Sequence, residues 1–426
     1  MRTILSMFAK SPFKPLVSHI DTVNECVNLI TPLFSAYKSK DYKKVEEIAK
    51  NISDIALDDF DGIINFCKKN AIDLVFVGPE QPLVEGIVDK LQENNIRVFG
   101  PSKNASRLEG SKIFMKDLAK KYNVPTAKYE TFFDSTKAIT YLDEVNFPTV
   151  IKTDGLAAGK GVIIAQSYAE AKSEIEEFFS GKFGEAGKKI IIEEFLTGFE
   201  VSYFVISDGK NYKSLGFAHD YKKVGENDTG LNTGGMGTYS PSHKVSTELE
   251  DKINKTIIEP SIKGLKSEDS EFVGILFAGL MIENGEPKLL EYNIRFGDPE
   301  TQVVLPRLKT NFIDLIIAAT NQELDKINIE FDDTKHALCV VMAANGYPGS
   351  YKKGTQIDLS KTKNLENTKI FHAGTKKDGA NLLASGGRVL NVIGFGNNLD
   401  EAKKQSYKTV DLVNWEDGFC RKDIGS

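Results

Sequence analysis

The chain has 426 residues, 41% hydrophobic and 27% charged. That balance belongs to a globular protein with length for roughly two to four domains. A formal net charge of −6 argues against nucleic-acid binding, which needs a basic face to neutralise phosphates.

The first 60 residues are lysine-rich, with a helix expected over 41–51 and no glycine before Gly62. The opening MRTILSMFAKSPFKP is a poor secretory signal, and its lack of acids leaves a basic transit-like segment as the lesser reading. The apolar run IDLVFV (72–77) reads as a buried strand, 83–91 as a helix and IRVF (96–99) as a second strand. Strand, helix, strand at this spacing predicts a parallel α/β layer. Residues 111–122 follow as an amphipathic helix: Phe114, Leu118 and Tyr122 form one buried stripe, and Lys112 and Lys116 share another face. Strands in pairs come next, then helices over 249–266. Short strands at 336–343 and 388–393, separated by glycine-rich turns, suit a small C-terminal domain. The longest apolar stretches, such as 275–282, are too short to span a bilayer. Cys26, Cys67, Cys339 and Cys420 are scattered, none at CxxC spacing, which fits a reducing compartment without disulfides or zinc.

Four segments carry chemistry. In PTVIKTDGLAAGKGVII (148–164), two β-type runs flank a loop holding Gly155, Gly159 and Gly161, with Lys152 at the end of the first run and Lys160 in the loop. Glycines let backbone N–H groups approach phosphate oxygens, and the lysines meet their charge. The spacing is not that of a Walker A loop. In KIIIEEFLTGFEVSYFV (189–205), a strand runs into Glu193 and Glu194, breaks at Thr197-Gly198 and resumes. Adjacent carboxylates there can serve nucleotide amino and hydroxyl groups, or simply end a strand in solvent. HDYKKVGENDTGLNTGGMGTYSPS (219–242) reads as a long loop, a feature of functional or disordered segments.

GILFAGLMIENGEPKLLEYNIR (274–295) is the most informative of the four. Asn284-Gly285 between apolar runs signals a hairpin. Alternation along the second strand puts Leu290, Tyr292 and Ile294 toward the core and Glu291, Asn293 and Arg295 on the other face. Mg²⁺ takes few protein oxygens beside substrate phosphates, so Glu291 and Asn293 are suitable ligands. Arg295 can hold a carboxylate or acyl phosphate bidentately. FGDPETQ follows at once and brings Asp298 and Glu300 to the same strand end.

Together these segments resemble the phosphoribosylamine–glycine ligases, a family of ATP-grasp enzymes. GPEQPLVEGI (78–87), LEGSKIFMK (108–116), VIKTDGLAAGKGVI (150–163), IIEEFLTGFE (191–200), HDYKKVGENDTGLNTGGMGTYSP (219–241), LLEYNIRFGDPETQ (289–302), FHAGT (371–375), SGGRVL (385–390) and FCRKDIG (419–425) occur in family order from about Asp73 onward. The resemblance implies an α/β and α+β multidomain chain. Its parts are an N-terminal Rossmann-like layer (1–108), a central ATP-grasp domain (109–326) and a small β-rich C-terminal domain (327–426). It implies glycine and 5-phosphoribosylamine as substrates, ATP with Mg²⁺ or Mn²⁺, a cytoplasmic monomer or weak homo-oligomer, and no nucleic-acid or membrane partner. Metal ligands fall on Glu291 and Asn293. ATP contacts fall on Lys112, Lys152, Gly155, Gly159, Lys160, Gly161, the Glu193, Glu194, Phe195, Leu196 hinge and Glu200. Asp220, Lys222, Asn232, Thr233, Gly234, Gly235, Met236, Gly237, Arg295 and Asp298 map to the substrate side, with Arg295, Asp298 and Lys152 expected to act in the reaction.

Two positions depart from the family pattern. Leu231 stands where a proline is usual. The opening TILSMFAKSPFKPLVS has no glycine where the family carries a GxGGREHAL-type phosphate loop. A ligase-like protein with an altered amine substrate and a non-catalytic nucleotide-binding module therefore stand beside the active ligase as readings of the sequence.

Overall fold

The structure is a computed structural model that describes residues 4–7 and 55–426, except 157–160 and 183. The helix expected over 41–51 lies outside the described residues, as does most of the glycine-free opening segment. The opening strand β1 (Ile4–Met7) pairs in parallel with β2 (Leu74–Val77), and β2 pairs in parallel with β3 (Val98–Phe99). This is the expected parallel layer, with helix α1 (Phe60–Lys69) entering it behind an Asp59 cap. The helix expected over 83–91 is instead two pieces, Glu80–Glu85 and Ile87–Glu93. Gly86 at φ +99° ends the first as a left-handed cap, a conformation glycine adopts without strain.

Helix α2 (Lys112–Lys121) begins where the Ser111 hydroxyl accepts from the Phe114 N–H. Leu118 is buried; Phe114 and Tyr122 are half-buried against the same core, so the expected stripe is only partly enclosed. A four-stranded antiparallel sheet follows in the order β4 (Tyr129–Phe132), β7 (Ile190–Glu194), β5 (Thr149–Thr153), β6 (Val162–Ala165).

The largest sheet is built from β8 (Phe199–Asp208), β9 (Tyr212–Asp220), β12 (Gly237–Ser240), β13 (Val273–Glu283) and β14 (Glu286–Asn293). It continues through β15 (His336–Ala344), β20 (Arg388–Gly396) and β17 (Thr368–His372). In order it runs β14-β13-β8-β9-β12-β15-β20-β17. The C-terminal strands thus extend the central sheet through β12, and the β-rich C-terminal part shares its hydrogen bonding. Helix α3 (Phe312–Thr320) covers one face of the central strands.

The β13–β14 hairpin turns at Asn284 (φ 53°) and Gly285 (φ 75°), as its sequence predicts. The expected core face needs one correction. The register slips between Gly279 and Leu280, so Gly279 faces Glu291 while Leu280 faces Leu289. This bulge leaves Leu290 half-buried and puts Leu289 into the core with Tyr292 and Ile294. Glu291, Asn293 and Arg295 still share the opposite, half-buried face. The segment 219–242 is also more ordered than a long loop. It holds β12 and a small hairpin of β10 (Lys223–Gly225) and β11 (Thr229–Asn232).

Candidate active site

Strand β5 ends with Lys152 pointing at the bulged strand. Its Nζ lies 3.1 Å from Glu193 Oε2 and donates to the Leu290 carbonyl at 3.4 Å. The same Glu193 oxygen lies 3.2 Å from Lys116 Nζ, which also donates to Thr126 Oγ1 at 2.8 Å. All three ionic groups are almost fully enclosed. The other Glu193 oxygen, Oε1, is buried without a hydrogen bond among the described residues. Lys112 opens α2 and donates to the Gly155 carbonyl at 3.0 Å. Burial pulls its ammonium pKa down against the opposing pull of Glu291. Asp154 Oδ1 accepts from Ser111 Oγ at 3.0 Å and from the Ile113 N–H at 3.1 Å, which ties the glycine loop to the start of α2. Gly155 is left-handed at φ +114°, and the Gly161 carbonyl accepts from the Thr153 N–H at 2.9 Å. Gly159 and Lys160 lie outside the described residues.

Glu291 faces this cluster. Burial works against its charge, but Lys222, Lys152, Lys112 and Arg295 together hold the carboxyl below its usual range. Lys222 is hydrogen-bonded to Glu200. Burial opposes its charge too, and Glu200 and Asp220 outweigh that and raise it. Among the described residues no three His, Cys, Asp or Glu side chains form a metal cage. The donor set is instead one ionised carboxylate, Glu291, with the Asn293 carboxamide on the same strand face. That hard, sparse set suits Mg²⁺ or Mn²⁺ completed by phosphate oxygens.

Arg295 is already engaged by two carboxylates, Glu80 at 3.1 Å and Glu109 at 3.2 Å, and donates to the Phe296 carbonyl at 3.1 Å. Glu109 also accepts from the Ile294 N–H at 2.8 Å. Burial pushes the Glu109 carboxyl up to about 7, with Arg295 pulling the other way. Asp220, half-buried, and Glu300, buried, form a carboxyl pair. Burial raises both, and a hydrogen bond between them adds to the rise at Asp220. Two such groups in contact hold a proton between them more readily than two charges. Asp298 adds to the rise at Glu300 through its charge. It is ion-paired with Arg388 at 3.2 Å and accepts from Gln302 Nε2 at 2.9 Å.

The hinge segment leaves β7 with Glu194 locked to Lys128 through both backbone and side chain; Phe195 is exposed and Leu196 buried. The 232–237 turn is held at its start by Thr233, whose N–H and hydroxyl both donate to the Lys222 carbonyl at 2.8 Å. Met236 is fully buried, and Asn232 is exposed at the end of β11. Glu80, Glu109 and Arg388 have no role in the residue-by-residue reading of the sequence, which places Lys116 only on a helix face with Lys112 and Glu300 only at a strand end, although each lies in a motif quoted for the resemblance. Their partners come from distant segments, and a linear pattern does not announce them.

Family models match almost the whole described chain. The phosphoribosylglycinamide synthetase N domain matches residues 28–109, its ATP-grasp (A) domain 110–301 and its C domain 337–426. The N-domain match begins well upstream of Asp73, so the family likeness reaches into the segment that the motifs alone left unassigned. A phosphoribosylamine–glycine ligase of Mesorhizobium japonicum is 48% identical over 397 residues, covering 93% of this chain and 92% of that one. The crystal structure of the phosphoribosylamine–glycine ligase of Thermotoga maritima superposes with a TM-score of 0.72 at 33% identity, covering 82% of this chain and 85% of that one. A biotin carboxylase from Campylobacter jejuni reaches a TM-score of 0.69 at 15% identity over 100% of this chain and 94% of that one, a likeness of fold alone. The chain belongs to the phosphoribosylglycinamide synthetase family of ATP-grasp ligases.

Proposed function

We propose that this chain joins glycine to 5-phosphoribosylamine at the expense of ATP, giving glycinamide ribonucleotide, ADP and phosphate. The observation that carries the reading is Glu291, an ionised carboxylate among Lys112, Lys152, Lys222 and Arg295 with Asn293 beside it. A glycine carboxylate resists attack by an amine because oxide is a poor leaving group. Transfer of the γ-phosphoryl group to a carboxylate oxygen makes an acyl phosphate. The amine then attacks the carbonyl carbon, loses a proton and expels phosphate. Such a reaction needs positioning and charge stabilisation more than a protein nucleophile. Lys112 and Lys152 meet the phosphates, the 155–161 loop covers them, and the Glu193, Glu194, Phe195 and Leu196 hinge takes the adenine with Glu200 on the ribose. Glu291 and Asn293 would hold Mg²⁺ or Mn²⁺, which would supply positive charge against the phosphates. Arg295 holds the reacting carboxylate after exchanging Glu80 or Glu109 for it. Asp220, Lys222, Asp298 and the 232–237 turn line the substrate side.

The same proposal places the chain in the cytoplasm as a monomer or weak homo-oligomer, divided near residues 108 and 326. No described helix is long and apolar enough to cross a membrane. The test is ADP release with Mg²⁺, glycine and phosphoribosylamine, with the amide product measured in parallel. Release that depends on both substrates is expected; release no greater than in the amine-free control overturns the reading.

A further inference from the structure

The Arg388 guanidinium reaches out of the C-terminal strands into the substrate side of the site. Its Nη1 donates to the Gly234 carbonyl at 2.6 Å, to the Asp298 carbonyl at 2.7 Å and, more weakly, to the Gly235 carbonyl at 3.4 Å. Its Nη2 donates to Asp298 Oδ2 at 3.2 Å. Two separate loops, the 232–237 turn and the one that follows β14, are thus joined by one side chain. A neighbouring hydroxyl adds to the clasp: Tyr347 accepts from the Gly234 N–H at 3.1 Å.

The glycines show how close this approach is. A Cβ on Gly234 would stand 2.9 Å from the guanidinium carbon of Arg388, and one on Gly235 would stand 2.5 Å from Pro299 Cδ. Further back, a Cβ on Gly374 would meet Gly386 Cα at 2.5 Å and the Arg388 carbonyl at 2.6 Å. The Gly374 N–H donates to that same carbonyl at 2.9 Å. Glycines in three separate stretches therefore serve to bring one arginine to one place. A lysine cannot replace it, because a point charge does not serve two carbonyls and a carboxylate in a fixed plane.

We infer that Arg388 is a positioning residue for the amine half-reaction: it sets the Gly234–Gly235 turn against the Asp298 loop, so that the amine substrate reaches the acyl phosphate before water does. This rests on the ligase reading given above. Arg388 touches neither Lys152 nor Glu291 in this structure, and its contacts lie with loops on the substrate side. ATP use and amide formation should therefore separate when it is changed.

The experiment compares the unaltered chain with Arg388→Ala, Arg388→Lys and Tyr347→Phe, measuring ADP and amide product together. Glycine-dependent ADP release by the unaltered chain tests the ligase reading independently of the variants. Arg388→Ala should raise the KM for phosphoribosylamine by about tenfold or more while leaving the KM for ATP within about twofold. It should also raise the ADP released per amide formed, as the acyl phosphate is lost to water. Guanidinium ion added to Arg388→Ala should restore part of the coupling, and Arg388→Lys should not. Tyr347→Phe, which removes only one hydroxyl, should shift the same ratio in the same direction by less. A folded Arg388→Ala with unchanged amine KM and unchanged ADP-to-amide ratio overturns the inference. If Arg388→Ala does not fold, an unchanged ratio in Tyr347→Phe overturns it instead.

Discussion

Glu193→Gln should be the most costly single isosteric change in the nucleotide site. The carboxylate sits 3.2 Å from Lys116 and 3.1 Å from Lys152, with side chains 2%, 0% and 8% exposed respectively. Removing its charge leaves two ammonium groups facing each other away from water. Breaking a buried pair from one side costs about 3–5 kcal/mol. The loss has a ceiling, because Lys116 can shed its proton. From a native pKa of about 8, shedding it costs only about 1 kcal/mol at pH 7 and about 3 kcal/mol at pH 6. A loss of about 1–3 kcal/mol, according to pH, lowers the melting transition of a unit of this size by roughly 3–10 °C. The pH dependence gives the argument a sign. Burial already lowers the Lys116 pKa to about 8, with Glu193 holding it up. Without Glu193 it falls further, while the unfolded value stays near the ordinary one. A lysine with a depressed native pKa binds fewer protons in the native state, so stability rises with pH between the two values. For the unaltered chain that window opens only above about 8. Between roughly pH 6 and 8 the deficit of Glu193→Gln should therefore shrink by up to about 1.4 kcal/mol per unit. Urea unfolding at several pH values measures this. A deficit below about 1 kcal/mol at pH 6, or one that ignores pH, refutes the reasoning.

Other changes probe different parts of the site. Glu291→Ala should lower turnover by about 100-fold or more and abolish Mn²⁺ binding in the presence of nucleotide, read by titration calorimetry; near-normal values reject the metal assignment. Glu300→Gln relieves the carboxyl pair with Asp220. Because native carboxyls raised above their unfolded values lose stability as pH rises from about 4 toward the native pKa, this variant should flatten that fall in urea midpoints. Arg421, 1% exposed, pairs with Asp423 at 2.6 Å and donates to the Lys223 carbonyl at 3.0 Å. Arg421→Ala should cost about 2–4 kcal/mol and speed proteolytic cleavage at the 223–232 hairpin; unchanged cleavage would show that the arginine does not hold that hairpin.

How much could be read from sequence depended on the range of the interaction. The Asn284-Gly285 turn and the shared face of Glu291, Asn293 and Arg295 follow from local rules of turn geometry and strand alternation, and both stand in the structure. The bulge that exchanges Leu290 for Leu289 does not follow, because register depends on the partner strand β13. Lys116 repeats Lys112 one helical turn on and looks like half of a solvated face. Only Glu193, contributed by β7, makes its burial tolerable. Arg295 invites a substrate carboxylate by its chemistry, yet Glu80 from the N-terminal layer and Glu109 from the short helix Arg107–Gly110 occupy it. Arg388 is one arginine in a glycine-rich motif until β20 is laid beside β15 and its reach to Asp298 becomes visible.

The charges of the site settle what kind of binding it can support. A chain of net charge −6 has no overall field to draw a polyphosphate, so attraction must come from local cations. Three of the four around Glu291 already have carboxylate partners: Lys152 has Glu193, Lys222 has Glu200, and Arg295 has Glu80 and Glu109. Among the described residues Lys112 donates to the Gly155 carbonyl, on the loop expected to cover the phosphates. Phosphate binding is then an exchange of partners rather than the pairing of bare charges, and its gain is the difference between two ion pairs. Such an exchange discriminates by geometry. A polyanion that cannot place oxygens near Lys112, Lys152 and Lys222 together leaves the protein's own carboxylates in possession. At Lys222 and Arg295 the neighbouring acids outweigh the burial that would favour the neutral forms. On the proposed assignment, the carboxylates paired with these cations would be as much a part of nucleotide selection as the cations themselves.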